Sequence, residues 1–273
     1  MSPRNLTVAS RDAGPSVLTL PYARQSVSDR QPNMFARLTA AELRRVMARG
    51  LLKRVPAGKT LFAQGEVHDG VFLIEKGLIR TFYTSPAGRE ITLAYWQPGN
   101  IVGTPQVLGT GNHMWSGIAV RKTDVFAFSG DSLRDLMQQI PALAIGIVEA
   151  LEFKGKCLSA LLQMLGTRSV SERLAMLLAS LADVHGVEIE DGIAIGQPFT
   201  HEAFAQMVGA SRQWVTMTLD RFQREGLIRV GRCRTVIFDL NELRARRAGS
   251  TAKRKATRGL PAVEYAVEFL DPQ

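Results

Sequence analysis

Two cysteines, Cys157 and Cys233, and four histidines, His68, His113, His185 and His201, are all that 273 residues offer toward a soft-metal site. Two thiols cannot complete a four-thiolate iron–sulfur site, and their separation excludes a CxxC pair or a disulfide framework. The histidines form no HxH or HExxH spacing, so no single element presents a metal-binding pair and a metalloenzyme is not expected. A haem ligand would have to be His68, His113 or Cys157, each without a companion nearby in sequence. Long apolar runs are missing too. The most apolar stretch, Ala142 to Ala150, contains Glu149 and falls far short of the roughly 20 residues that span a bilayer. Arg4, Arg11 and Arg24 interrupt the N-terminus before a signal-peptide core could form. A cytoplasmic protein without a membrane partner is therefore expected.

What the chain has in excess is positive charge, +9 at neutral pH, and it is unevenly placed. Residues 1–55 hold ten basic and three acidic groups, residues 241–273 seven and four, while residues 56–140 are balanced at seven each. The overall pI is therefore weak evidence for a nucleic-acid partner. A local cluster is better evidence: within 205–234, Arg212, Arg221, Arg224, Arg229, Arg232 and Arg234 face only Asp220 and Glu225. Phosphate contacts require such a patch.

Length and patterning indicate two cores. Residues 1–34 mix Ser, Arg, Pro and Gln without periodicity and are expected to form a disordered tail. Thr39 and Glu42 form a capping-box pattern ahead of a helix from Ala40 to Arg49. From Val55 to Phe128 six short β-type runs alternate with Gly58, Gly65, Gly77, Gly88, Gly99 and Gly103, the pattern of a small closed or rolled antiparallel sheet. Between Pro141 and Leu165 the positions Leu143, Ile147, Leu151, Leu158, Leu161, Leu162 and Leu165 recur at three- and four-residue steps as one face of a long helix. That face needs a cover, either a partner chain or the core of its own domain. A second helix, Val170 to His185, precedes a short β-like stretch. Then come Thr200 capping a helix to Val208, the Gly209-Ala210 turn, Ser211 capping a helix to Glu225, and two short strands joined by Gly231-Arg232-Cys233-Arg234. Helix, turn, helix and ribbon is the layout of a DNA reader. The basic residues from Arg244 onward are expected to be a solvated tail, with non-specific DNA contact as the alternative.

These segments resemble the Crp/Fnr family, named for the cyclic-AMP receptor protein and the fumarate-nitrate reductase regulator. In the first half the resemblance is carried by Gly58, Gln64-Gly65-Glu66, Phe72-Leu73-Ile74-Glu75-Lys76-Gly77-Leu78-Ile79, Gly88-Arg89-Glu90 and Pro98-Gly99-Asn100-Ile101-Val102-Gly103. In the second half it is carried by Thr200, Ala205, Val208-Gly209-Ala210-Ser211-Arg212-Gln213, Val215, Leu219 and Gly226-Leu227-Ile228. The resemblance implies an α+β protein with five segments: the tail to 34, a cyclic-nucleotide-binding-like β-roll over 35–137, a dimerisation helix over 138–166, a winged helix-turn-helix over 167–240, and the basic C-terminal tail. It further implies a homodimeric transcription regulator on double-stranded DNA, with RNA polymerase as a partner if it activates, and a hinge near Gly166-Thr167-Arg168.

By similarity to the family's base-reading positions, Arg212 and Gln213 are expected to read bases, with Thr216 and Met217 one turn further on. Arg can fork to guanine, Gln to adenine, and Met can touch a thymine methyl. Ser211 is expected to cap the helix or touch phosphate, and Trp214, Val215 and Leu219 to pack in the core. The sensor segment departs from cyclic-nucleotide-binding relatives. They follow Gly-Asp-x-x-Gly with a Glu for the ribose and use an Arg before Ser or Thr for the cyclic phosphate. Here Asn100 replaces the Asp, Gly103 is followed by Thr104 and Pro105, and the Arg-Ser position falls at Met114-Trp115 or Trp115-Ser116. Without the arginine, cyclic AMP in the usual mode is not expected, since a buried phosphate would lose its charge-assisted partner. Gly103, Thr104, His113, Trp115 and Ser116 are the expected pocket residues, with Trp115 and His113 either lining a site for an uncharged or aromatic effector or serving as packing or loop residues. Two other readings compete: a cupin-like metal enzyme, which lacks clustered ligands, and a scaffolding protein whose helix-turn-helix meets protein.

Cys157 is expected in the seam between chains. Cys233, between Arg232 and Arg234, is either an unreactive wing residue or a stabilised thiolate whose oxidation adds negative charge beside phosphate. If it is the latter, peroxide lowers DNA affinity in the natural protein and Cys233→Ser abolishes that sensitivity. A mobility-shift titration with and without peroxide separates the two.

Overall fold

The computed structural model describes residues 34–68, 70–103, 111–196, 199–231 and 234–247. Helix α1, Ala40–Arg49, begins at the predicted capping box: the Thr39 N–H donates to Glu42 Oε2 at 2.8 Å, and the Glu42 N–H donates to Thr39 Oγ1 at 3.3 Å. These bonds to the carboxylate hold the Glu42 carboxyl below its ordinary range.

The roll follows as β1 (Leu51–Val55), β2 (Thr60–Phe62), β3 (Val67–His68), β4 (Val71–Thr84), β5 (Glu90–Trp96), β6 (Ile101–Gly103), β7 (Gly111–Asn112) and β8 (Ser116–Phe128). One antiparallel sheet runs β1-β8-β4-β5, with β2 added to β8 and β6 to β4, while β3 and β7 pair separately. Two pairs of expected runs are single strands: Gly70–Ile74 and Leu78–Thr84 fuse into β4, and Ser116–Val120 and Asp124–Phe128 into β8. Gly77 is what looked like a boundary. Its φ of +103° suits glycine, the register of β4 on β8 shifts around it, and a Cβ there would sit 2.3 Å from Thr123 Oγ1. Thr123, fully buried, accepts the Leu78 N–H at 3.1 Å and thereby reseals the bulge.

Helix α2, Gly130–Gln139, was not anticipated, because only Leu133 and Leu136 mark its buried face. Helix α3, Pro141–Thr167, starts on proline as expected and ends at the predicted hinge. Its apolar residues divide between two faces. Leu143, Ile147, Ala150, Cys157, Leu161 and Met164 are buried against their own chain, whereas Ile145, Val148, Leu151, Leu158 and Leu162 are exposed. Met34, assigned from sequence to the tail, is buried in the same core as Leu143 and Ile147.

The second domain is built around α4, Val170–His185, which opens on a second capping box (Ser169 with Glu172) and buries every residue from Arg173 to Ala182. A helix apolar on all sides is one surrounded by structure. Around it lie the hairpin β9 (Gly186–Ile189) and β10 (Gly192–Ile195), helices α5 (His201–Val208) and α6 (Arg212–Arg224), strands β11 (Ile228–Val230) and β12 (Thr235–Ile237), and helix α7 (Leu240–Arg247). The strands form one antiparallel sheet, β11-β12-β10-β9. Helix α7 continues the domain past residue 240, where the sequence suggested a tail. Asp239 Oδ1 accepts the Glu242 N–H at 2.8 Å, Leu243 is fully buried, Arg244 pairs with Asp183 at 2.5 Å, and Arg246 pairs with Glu225 and Glu242. Two of the arginines read as a solvated tail are thus bonded to the domain. Leu243→Ala is expected to cost about 2–5 kcal/mol, the range for a buried leucine, measured as a lower urea midpoint.

Candidate nucleic-acid interface and effector cavity

Helix α5 is capped by Thr200, whose Oγ1 accepts the Ala203 N–H at 3.0 Å. It ends at Gly209, left-handed at φ 61°, as a helix-terminating glycine should be. Ser211 then caps α6, its Oγ accepting the Trp214 N–H at 3.3 Å. The two helices close on Phe204, Ala205, Val208, Val215, Leu219 and Phe222, all essentially fully buried. With that face fixed, Arg212, Gln213 and Met217 are exposed at the N-terminal end of α6.

Two residues stand differently from expectation, Trp214 and Thr216, while Ser211 caps the helix as expected. Trp214, expected to pack, is 59% exposed beside Gln213 and Met217, because Val215 rather than Trp214 meets the Phe204–Phe222 core. An indole is therefore exposed on the same surface as Arg212 and Gln213. Thr216 is half-buried: its hydroxyl donates to the Arg212 carbonyl at 3.0 Å, leaving Oγ1 to accept from His201 Nδ1 at 2.8 Å. It braces the helix-turn-helix instead of standing free for a base. Ser211 spends its oxygen on the cap.

Electrostatics favour an anionic partner. Glu225, one of two acids in the basic cluster, is neutralised by Arg246 from α7, and Arg224 and Arg229 are exposed. Arg232 and Cys233 lie outside the described residues. Replacing the exposed Trp214 by Ala should change unfolding free energy by no more than ~0.5 kcal/mol, whereas Val215→Ala should cost about 2 kcal/mol. Paired urea titrations check the assignment of the two faces.

The first domain contains a cavity of about 240 Å³ between the roll and α3. Thr81, Leu93, Ala94, Trp96, Val102, Gly103 and Trp115 line it from the roll, and Leu151, Lys154, Gly155, Cys157 and Leu158 from α3. Of the expected pocket residues, Gly103 and Trp115 are in the lining and Thr104 is outside the described residues. His113 is stacked on Phe62 with ring centroids 4.3 Å apart, and Ser116 Oγ accepts the Gln64 N–H at 3.0 Å; both are buried outside the lining. Cys157 is 1% exposed within one chain, so it faces the roll and not a seam. Burial raises its thiol to about 11. Sequence reasoning missed Trp96, Lys154 and Gly155. The available signal was Lys154 itself, a charge within the inward series Leu143, Ile147, Ala150, Lys154, Cys157, Leu161, Met164. Among the described residues no group of His, Cys, Asp or Glu could hold a metal, and no helix is long and apolar enough to cross a membrane.

The two domains touch. Arg80 on β4 forms an ion pair with Glu90 at 2.6 Å and donates to Thr92 Oγ1 at 3.3 Å and to Gln206 Oε1 of α5 at 2.8 Å. At the other end, Leu165 of α3 packs against the Gly209 turn, where a Cβ would lie 2.7 Å from its Cδ2.

Comparison with known proteins agrees with both halves. A model of the cyclic nucleotide-binding domain matches residues 52–140, and one of the Crp-like helix-turn-helix domain matches residues 172–246. The chain is 28% identical over 193 residues to a CRP-like cAMP-activated global transcriptional regulator of Mycobacterium tuberculosis, across 71% of this chain and 86% of that one. It is 27% identical over 176 residues to the cyclic AMP receptor protein of Thermus thermophilus, across 64% and 78%. The c-di-GMP responsive global regulator CLP of Xanthomonas campestris shares the fold with a TM-score of 0.67 at 18% identity, covering 74% of this chain and 100% of that one. A cyclic nucleotide-binding roll and a Crp-like helix-turn-helix on one chain define a DNA-binding transcription regulator. The chain belongs to the Crp/Fnr family.

Proposed function

We propose that the protein is a cytoplasmic homodimer that reads a pseudo-palindromic DNA site with the N-terminal end of α6, under control of the roll. The observation that carries this reading is the exposed set Arg212, Gln213, Trp214 and Met217 at the start of a capped recognition helix. Arg212 and Gln213 read base edges by forked hydrogen bonds, Met217 and Trp214 offer apolar contact, and Ser211 and Thr216 hold the helix start. Support for the dimer comes from α3. Val148, Leu151, Gly155, Leu158 and Leu162 follow a three-four spacing on its outward face, and Leu162 is 72% exposed in one chain. A helix of 27 residues, about 40 Å long, gives a partner copy of α3 a continuous seam. Two-fold symmetry would then set the recognition helices about 34 Å apart, on half-sites one DNA turn apart.

The roll serves as an effector domain that does not take cyclic AMP in the usual mode. Among the described residues the cavity lining has no guanidinium, and its polar side-chain groups are those of Thr81, Lys154, Cys157 and the two indoles. The protein's work is regulatory and not catalytic, and RNA polymerase is its partner wherever it activates.

Selection of sites from random duplex DNA tests this reading. The natural protein should enrich a two-fold symmetric motif whose affinity falls steeply with salt. Arg212→Ala and Gln213→Ala should each relax one symmetric pair of positions, at a cost of about 1–3 kcal/mol. Leu158→Glu with Leu162→Glu should sediment as a monomer and enrich no two-fold motif. An asymmetric motif, or one unchanged by both α6 variants, would refute the docking.

A further inference from the structure

We propose that the cavity between the roll and α3 binds a small organic acid, its carboxylate paired with Lys154 Nζ and its apolar body against Trp96. The proposal rests on reading the roll as an effector domain and names the chemistry of its effector.

Placement is the first reason. Lysines on a helix normally take the solvent face, as Lys156 does, paired with Glu152 one turn back. Lys154 instead occupies the inward series of α3, between Ala150 and Cys157, and lines the cavity. Its ammonium lies 5.1 Å from the Trp96 ring centre, a cation–π contact that orients the charge but neutralises nothing. Among the described residues no carboxylate pairs with it. A half-buried charge without a counter-ion is costly in proportion to the water it has lost, and a bound anion would offset that cost. Burial lowers the Lys154 amine to about 8, which still leaves it mostly charged at neutral pH.

Lining chemistry is the second reason. The other polar side chains are already bonded or weak: Trp96 Nε1–H donates to Thr81 Oγ1 at 2.9 Å, and the Thr81 hydroxyl donates to the Ala94 carbonyl at 3.3 Å. Cys157 stays a neutral thiol. The Trp115 indole adds one neutral N–H, Lys154 is the charged lining side chain with donors to spare, and Leu93, Val102 and Leu158 supply apolar surface. Size sets the class. At about 240 Å³ the cavity lies below the roughly 300–1,000 Å³ of drug-sized sites, which suits a single ring or a short chain bearing one acid group.

The test titrates the full chain with benzoate, phenylacetate and hexanoate, and with benzamide, phenylacetamide and hexanamide, by calorimetry and tryptophan fluorescence. At least one acid should bind with Kd below ~1 mM, and its amide at least about tenfold more weakly. Lys154→Met should remove that preference while melting no lower than the natural protein, and Lys154→Arg should retain it. Acid affinity should fall as pH rises past the Lys154 value of about 8, raised further by the bound anion, since only the ammonium pairs with carboxylate. No acid binding below ~1 mM, equal binding of acid and amide, or a preference that survives Lys154→Met overturns the proposal. Amides binding equally to the natural protein and Lys154→Met would leave the effector domain standing and show that it takes a neutral ligand. A cavity that binds neither series would sink both readings of the roll, and DNA selection without ligand tests the regulator independently.

Discussion

One helix with two incompatible obligations organises this molecule. The inward face of α3 completes the core of the roll through Leu143, Ile147, Cys157, Leu161 and Met164, so α3 cannot leave without opening that core. Its outward face, rotated by part of a turn, leaves Val148, Leu151, Leu158 and Leu162 in water. At roughly 25 cal/mol per Å² of apolar surface, covering such a stripe is worth several kcal/mol, and a second copy of the same helix supplies the matching shape. The roll therefore fixes which face of the helix stays exposed. Any change in how α3 sits on the roll changes what it offers a partner.

The cavity lies where these two faces meet. Leu151, Gly155 and Leu158 line it and also belong to the outward series, so the cavity borders the exposed stripe. Farther along, Leu165 rests on the Gly209 turn of the helix-turn-helix, and Arg80 ties α5 to the roll through Gln206. The roll, α3 and the helix-turn-helix are thus joined by direct side-chain contacts. Arg80 is bonded on both sides of the domain boundary, holding Glu90 and Thr92 within the roll, so release of α5 would break its bond to Gln206 and leave the ion pair in place.

Much of this architecture was legible in the residues. The Thr39–Glu42 capping box, Pro141 at the start of α3, Gly209 at the turn and Ser211 at the cap depend on partners within four residues, and they sit where local chemistry requires. Fused strands were harder to see. Gly77 reads as a turn in sequence, yet Thr123, far along the chain, closes around it and keeps β4 continuous. Helix α7 was hidden by composition: its arginines resemble a solvated tail until Asp183 and Glu225 are seen to receive them.

The sequence by itself determined the main helices and the helix-turn-helix, many of the caps and turns that bound them, the family resemblance and the two leading base-reading candidates. All of these rest on short-range spacing or on contiguous motifs. Only the tertiary structure decided that Trp214 faces outward while Val215 packs, that Cys157 and Lys154 look into the roll, and that His113 and Ser116 are bonded away from the cavity. Periodicity reports that a helix has apolar residues but not which neighbour each will meet. On α3, where apolar residues exceed what one face can hold, contacts from strands far away in sequence settle the division.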